Sequence, residues 1–177
     1  INDDWIRFFK TNKFKVGVSL NGDEKSHNYF RLKANGDGSF NQVIEGIEKL
    51  RRSNTNHGVI QVLTKRTAKR TKENFNFFTD ILRLKGWGIN WYFETTLNNK
   101  PMSDQMVSNK ELIKFLKSLI DLWLGKDDPN LRIREIDNFM AGVLNKMAPS
   151  CTFNGCCSDY FTLDYNGNIY PCDRLSA

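Results

Sequence analysis

Two hydrophobic periods alternate along the chain. Trp5, Ile6, Phe8 and Phe9 fall at helical spacing within residues 3–10. Residues 13–20 (Lys-Phe-Lys-Val-Gly-Val-Ser-Leu) read as a strand that stops at Asn21-Gly22. Ser39 stands where it can N-cap a helix over 40–52, whose Val43, Ile44, Ile47 and Leu50 share one face. Residues 58–63 (Gly-Val-Ile-Gln-Val-Leu) form a second predicted strand. A helix over 71–85 follows, with Phe75, Phe78, Ile81 and Leu82 turned inward and Gly86 and Gly88 bracketing its end. Residues 89–93 are the third predicted strand, and 110–124 and 133–147 are further amphipathic helices. No internal repeat or low-complexity segment is present.

The order is β-α-β-α-β-α, with short apolar strands between helices. That order predicts right-handed crossovers and a parallel sheet. Ligands of such sheets gather at the carboxyl ends of the strands. Here those ends carry Ser19 and Asn21, then Thr64 and Lys65, then Glu94 and Thr95. Each of these residues also serves as an ordinary polar strand terminus. Three strands cannot close a barrel, and parallel strands need both faces covered. With Ile1 in place of Met, and an end just past a cysteine, the chain reads as a piece of a larger protein. Its open sheet edges favour self-association.

Composition narrows the class. The 177 residues are 40% hydrophobic and include 13 Phe, enough for a core in one domain or one domain with a small appendage. No apolar run approaches the ~20 residues that span a bilayer, and no secretory signal is visible, so a soluble cytoplasmic protein without a membrane partner is expected. The net charge is +6. Its densest basic stretch, residues 65–72, lacks interleaved aromatics and reads as a solvated loop rather than a nucleic-acid patch.

All four cysteines lie in the last 27 residues: Cys151, Cys156, Cys157 and Cys172. Between them, two β-rich runs, 160–164 and 168–170, flank Asn166-Gly167, a pair suited to a type I′ hairpin turn. Such a hairpin carries Cys172 back beside Cys156 and Cys157. Disulfides, zinc, an iron–sulfur cluster and inert buried thiols all remain open on spacing alone. The intervals Cys151-x5-Cys157 and Cys157-x14-Cys172 fit zinc knuckles poorly, and soft thiolates at irregular spacing suit iron–sulfur.

The run Val16-Gly-Val-Ser19-Leu-Asn21-Gly22, followed by His27, Arg31, Gly36, Gly38 and Ser39-Phe40, resembles the middle of radical S-adenosylmethionine enzymes. Cys151-x5-Cys157-x14-Cys172-Asp173 resembles the start of their SPASM extension, which holds auxiliary 4Fe–4S clusters. The nearest resemblance is to anaerobic sulfatase-maturating enzymes, and it runs over about residues 14–173. It implies that the strands are the fourth to sixth of a partial (β/α)6 TIM-like barrel. Residues 1–148 would be the second half of the barrel and 149–177 the start of the cysteine-rich region. The Cys-x3-Cys-x2-Cys triad of the catalytic cluster is not among these residues, so the piece alone is expected to be inactive.

By the same resemblance Ser19 contacts the cofactor's ribose and Arg31 its carboxylate. Cys151, Cys157 and Cys172 ligate the first auxiliary cluster, whose fourth ligand lies past Ala177. Cys156 is a bystander or a competing ligand. Asp173 is the base that takes a proton from substrate. Asn21, Asp23 and Asn28 stand where the family pattern has Asp, Pro and Asp. The bland alternatives are a strand-end Ser19, a surface His27 and an Arg31 paired with Asp37; for Asp173, capping of the turn or pairing with Arg174. Three functions follow. One is oxidation of a peptidyl cysteine or serine to formylglycine on a sulfatase. Another is crosslinking of a ribosomal precursor peptide, and the last is a non-catalytic metal-stapled module.

Overall fold

The structure is a computed structural model that describes residues 1–93, 104–156 and 161–172, together with the backbone of 96–97 and 100–101. The chain divides into two compact units, Ile1–Arg134 and Glu135–Ala177.

In the first unit α1 (Asp3–Thr11) starts at Asn2, whose side chain accepts the Trp5 N–H. It ends with Lys13 in the left-handed region (φ 54°), so the first strand, β1 (Val16–Ser19), begins three residues later than the apolar pattern suggests. The order then runs α2 (Glu24–His27), α3 (Phe40–Arg52), β2 (His57–Leu63), α4 (Lys65–Ala68) and α5 (Thr71–Asn76). After α5 a single π-helical turn, Phe77–Ile81, leads to β3 (Gly86–Trp91). The two-residue strands β4 (Thr96–Leu97) and β5 (Lys100–Pro101) pair antiparallel, and α6 (Asn109–Lys126) and β6 (Arg132–Ile133) complete the unit. Strands β1, β2, β3 and β6 form one parallel sheet in that order. The predicted parallel sheet is thus present, with four strands rather than three. A two-residue strand such as β6 has no period to read.

The sheet has two unlike faces. Val59 and Leu63 on β2 and Trp87 and Ile89 on β3 are buried. The rings of Phe75 and Phe78 lie 5.9 and 5.0 Å from that of Trp87, and Ile47, Leu50, Phe115 and Leu119 of α3 and α6 are buried as well. The opposite residues of the same strands, Ser19, Ile60, Val62 and Asn90, stay half-exposed or exposed. Apolar burial therefore holds the helices to one side of the sheet.

The predicted helix over 71–85 stops early. Its π turn buries both Phe77 and Phe78, and Arg83 then turns left-handed (φ 52°). Gly86 and Gly88 do not end a helix; they lie inside β3. A Cβ at Gly86 would stand 2.3 Å from the Arg132 carbonyl oxygen. Only glycine lets β6 approach this closely.

In the second unit α7 (Arg134–Val143) is followed by α8 (Cys151–Asn154) and the antiparallel hairpin of β7 (Thr162–Leu163) and β8 (Ile169–Tyr170). The hairpin falls where Asn166-Gly167 predicts it, with a different turn. Gly167 alone has positive φ (85°), and its N–H donates to the Asp164 carbonyl at 2.9 Å. That is a type I turn closed by a glycine bulge, which demands positive φ of one residue instead of two.

Two glycine substitutions should have opposite signs. Gly86→Ala should destabilise the protein by about 2–3 kcal/mol, because β6 must move. Gly125→Ala, inside α6 with open space around it, should stabilise by about 0.5–1 kcal/mol. Urea denaturation of the two variants checks this.

Candidate functional site at the strand ends

Beyond β1 the chain enters a buried loop. Leu20, Asn21 and Gly22 are buried, and so are Ser26 and His27 at the end of α2. Polar groups there cannot turn to water, so each needs a partner in the protein. Asn21 Oδ1 accepts the Val62 N–H of β2 at 3.1 Å. Asn74 Oδ1 accepts the Asp23 N–H at 3.2 Å and the Ser26 hydroxyl at 2.9 Å. The Asp23 carboxylate caps α2 through the Ser26 N–H and pairs with Arg70, whose Nε donates to Ser26 Oγ at 3.1 Å. Gly22 has φ 121°, and a Cβ there would meet Asn74 Oδ1 at 2.0 Å.

The three departures from the family pattern each have a local role. Asn21 supplies the acceptor that closes β1 onto β2. Asp23 anchors the loop to Arg70. Asn28 Oδ1 accepts the Phe40 N–H at 3.0 Å and so caps α3. Ser39 stands at the predicted N-cap position, but its side chain makes no capping bond.

His27 is fully buried, not a surface residue. The Asn21 N–H points to its Nδ1 at 3.4 Å, and Nε2 lies 3.0 Å from Ser39 Oγ. A backbone N–H can only donate, so Nδ1 accepts and Nε2 carries the proton. The Ser39 hydroxyl in turn donates to the Arg31 carbonyl at 2.8 Å. Burial, and next the positive charge of Arg31, push the His27 pKa down to about 4.

Ser19 is the last residue of β1, in register with Ile60, and is exposed. Arg31 is half-buried. Its Nε is wholly buried and meets no hydrogen-bond partner among the described residues, and burial holds its pKa below the ordinary arginine value. The alternative of an Arg31–Asp37 pair is not what the structure contains, since Asp37 is paired with Lys33 at 3.4 Å. Among the described residues no carboxylate pairs with this half-buried guanidinium, which suits it to a ligand oxyanion, and the residues present fit the carboxylate of S-adenosylmethionine.

The basic stretch 65–72 is not a loop. It forms α4, capped by Thr64, and the start of α5. Arg66 stacks 3.9 Å from the centre of the Tyr29 ring, and Arg70 holds Asp23. Sequence reasoning missed Arg70 and Asn74. The glycine at 22 marks a close approach there but does not name what approaches.

In the second unit Cys151 opens α8, and Gly155 (φ 73°) turns the chain from that helix to Cys156. Both thiols are half-buried and neither is in a disulfide. Cys172 follows β8 and is half-buried. Among the described residues no three Cys, His, Asp or Glu side chains gather as a metal site requires. Cys157, Asp173, Glu94 and Thr95 lie outside the described residues. Among those residues no helix is long and apolar enough to cross a membrane.

Four parallel strands with helices on one face, and a polar loop buried at their carboxyl ends, match part of the barrel of a radical S-adenosylmethionine enzyme. The whole chain superposes on about half of native anSMEcpe with bound AdoMet and Cp18Cys peptide, with a TM-score of 0.87 and 26% identity, covering 100% and 49% of the two chains. More particularly, it is a homologue of the anaerobic sulfatase-maturating enzymes. It is 34% identical to the cysteine-type enzyme of Clostridium novyi, over 98% of this chain and 46% of that protein. The serine-type enzyme of Bacteroides thetaiotaomicron is 25% identical over 99% of this chain and 45% of its own length. The chain therefore spans about half the length of the curated relatives it matches. No protein-family model matches it.

Acid should expose the His27 environment. The unfolded chain protonates this imidazole near pH 6.5 and the folded protein only near pH 4. Stability present above pH 6.5 should therefore be lost as pH falls to about 4, by roughly 2 kcal/mol. Urea midpoints across that window should slope for the wild type and flatten for His27→Gln.

Proposed function

We propose that the full-length protein is an anaerobic sulfatase-maturating enzyme that oxidises a peptidyl cysteine or serine of a sulfatase to formylglycine. The observation that carries this reading is the 34% identity to a cysteine-type enzyme of that activity over 98% of the chain. The ligands named for the superposed structure, AdoMet and a peptide, give the matching cofactor and substrate class.

Ser19 hydrogen-bonds the cofactor's ribose at the end of β1, and Arg31 pairs with its carboxylate through a charge-assisted contact. Cys151, Cys157 and Cys172 supply thiolates to an auxiliary iron–sulfur cluster, a donor set with the right chemistry. When bound, the cofactor and clusters supply the acceptors for a hydrogen atom and an electron. Loss of that hydrogen atom, an electron and a proton gives the aldehyde directly from serine and a thioaldehyde from cysteine, which water hydrolyses with release of hydrogen sulfide; Asp173 takes the proton. The unit Ile1–Arg134 carries the cofactor contacts, and the cysteine-rich unit Glu135–Ala177 carries the thiolates and the base.

The decisive assay uses the full-length protein, purified without oxygen, with a cysteine- or serine-containing sulfatase peptide. Mass spectrometry should detect formylglycine; a thioether or carbon–carbon crosslink in its place overturns the reading. Asp173→Asn should lower the aldehyde yield at least 10²-fold while cofactor binding stays intact. Cys157→Ala should reduce iron content by about one cluster and Cys156→Ala should not, as colorimetric iron analysis of the anaerobic protein will show.

A further inference from the structure

A serine at a helix N-cap ordinarily accepts a backbone N–H of the first turn. Ser39 does not, and the first N–H of α3, that of Phe40, is accepted by Asn28 Oδ1. Its hydroxyl is free to face backwards. It bridges His27 Nε2 at 3.0 Å and the Arg31 carbonyl at 2.8 Å, and the Ser39 N–H donates to the same carbonyl at 3.2 Å. The Arg31 N–H donates to the His27 carbonyl at 3.0 Å. Both backbone groups of Arg31 are therefore held by His27 and Ser39. The other end of the His27 ring is held by the Asn21 N–H, two residues past Ser19.

We propose that His27 and Ser39 are positioning residues, which fix the backbone of Arg31 relative to the end of β1 so that one ligand meets Ser19 and Arg31 together. This rests on the assignment of Arg31 to the carboxylate of S-adenosylmethionine and of Ser19 to its ribose. Three observations converge on it. The connection is continuous from Asn21 to Arg31, and its histidine is fully buried. The serine in its middle stands at the N-cap position of α3 yet makes no capping bond and donates to the Arg31 carbonyl. The side chain at its far end has no acceptor for its Nε–H among the described residues.

The chemistry explains why such a link is useful. An arginine side chain has several rotatable bonds, and freezing it on binding costs affinity. A backbone already fixed at both its N–H and its carbonyl adds no ordering cost of its own and fixes the point from which the guanidinium fork extends. The link also needs an imidazole with one donor and one acceptor. An imidazolium would set a second donor against the Asn21 N–H and a second positive charge beside Arg31.

The test is equilibrium binding of S-adenosylmethionine and of decarboxylated S-adenosylmethionine to the full-length protein. Wild type should prefer the ligand that bears the carboxylate, and Arg31→Gln should abolish that preference. Ser39→Ala should weaken S-adenosylmethionine binding about tenfold, the value of roughly one charge-assisted hydrogen bond, with the decarboxylated ligand little changed. Ser39→Thr keeps the hydroxyl and should restore wild-type binding. The melting temperature of Ser39→Ala should stay within a few degrees of wild type, because Asn28 still caps α3. His27→Gln should show the same selective loss.

If Ser39→Ala leaves the preference intact, or weakens both ligands equally, the positioning role is wrong while the Arg31 assignment stands. If wild type binds both ligands equally, the Arg31 assignment fails, and the inference fails with it.

Discussion

The Asn74 carboxamide is the contact on which the strand-end loop depends. One oxygen receives the Asp23 N–H and the Ser26 hydroxyl, while the amide reaches the Thr67 carbonyl at 3.5 Å. These groups are buried or half-buried, and a donor stranded there costs roughly 1–3 kcal/mol. Asn74 lies on α5 and the loop follows β1, so a single side chain joins elements 48 and 51 residues apart in sequence. Around it the Asp23–Arg70 pair and the Asn21–Val62 bond secure the loop to the next βα unit. Ser19, His27 and Arg31 inherit their positions from this frame.

The fold was legible where burial imposes a period. The helical faces at Ile47 and Leu50 and at Phe75 and Phe78, and the runs that became β1, β2 and β3, follow from amphipathic spacing. It was illegible where geometry is set by an approach between distant backbones. Gly86 looks like a helix terminator to a local reading, because its reason for being glycine is the Arg132 carbonyl of β6, more than forty residues on. The π turn at Phe77–Ile81 leaves no mark in composition either.

The candidate site divides in the same way. Ser19, His27 and Arg31 were singled out from their intervals, which a resemblance can hold and elementary chemistry cannot. Why these residues need Asn21, Asp23 and Asn28 nearby is physical: each supplies an oxygen to a backbone N–H that the fold would otherwise strand. Arg70 was hidden inside a basic run, because charge alone does not tell a solvated lysine from an arginine half-buried against a carboxylate.

The division of labour between Asn28 and Ser39 also bears on how the sequence can change. Position 28 tolerates Asn or Asp, since either offers an oxygen to the first turn of α3. If that oxygen is lost, the Phe40 N–H is stranded at the start of α3, beside the Ser39 whose hydroxyl donates to the Arg31 carbonyl. A change at 28 is thus felt at Ser39, eleven residues on, and through it in the support of Arg31. Substitutions at 28 and 39 should therefore not be additive, because both act on the start of α3 and the Arg31 carbonyl.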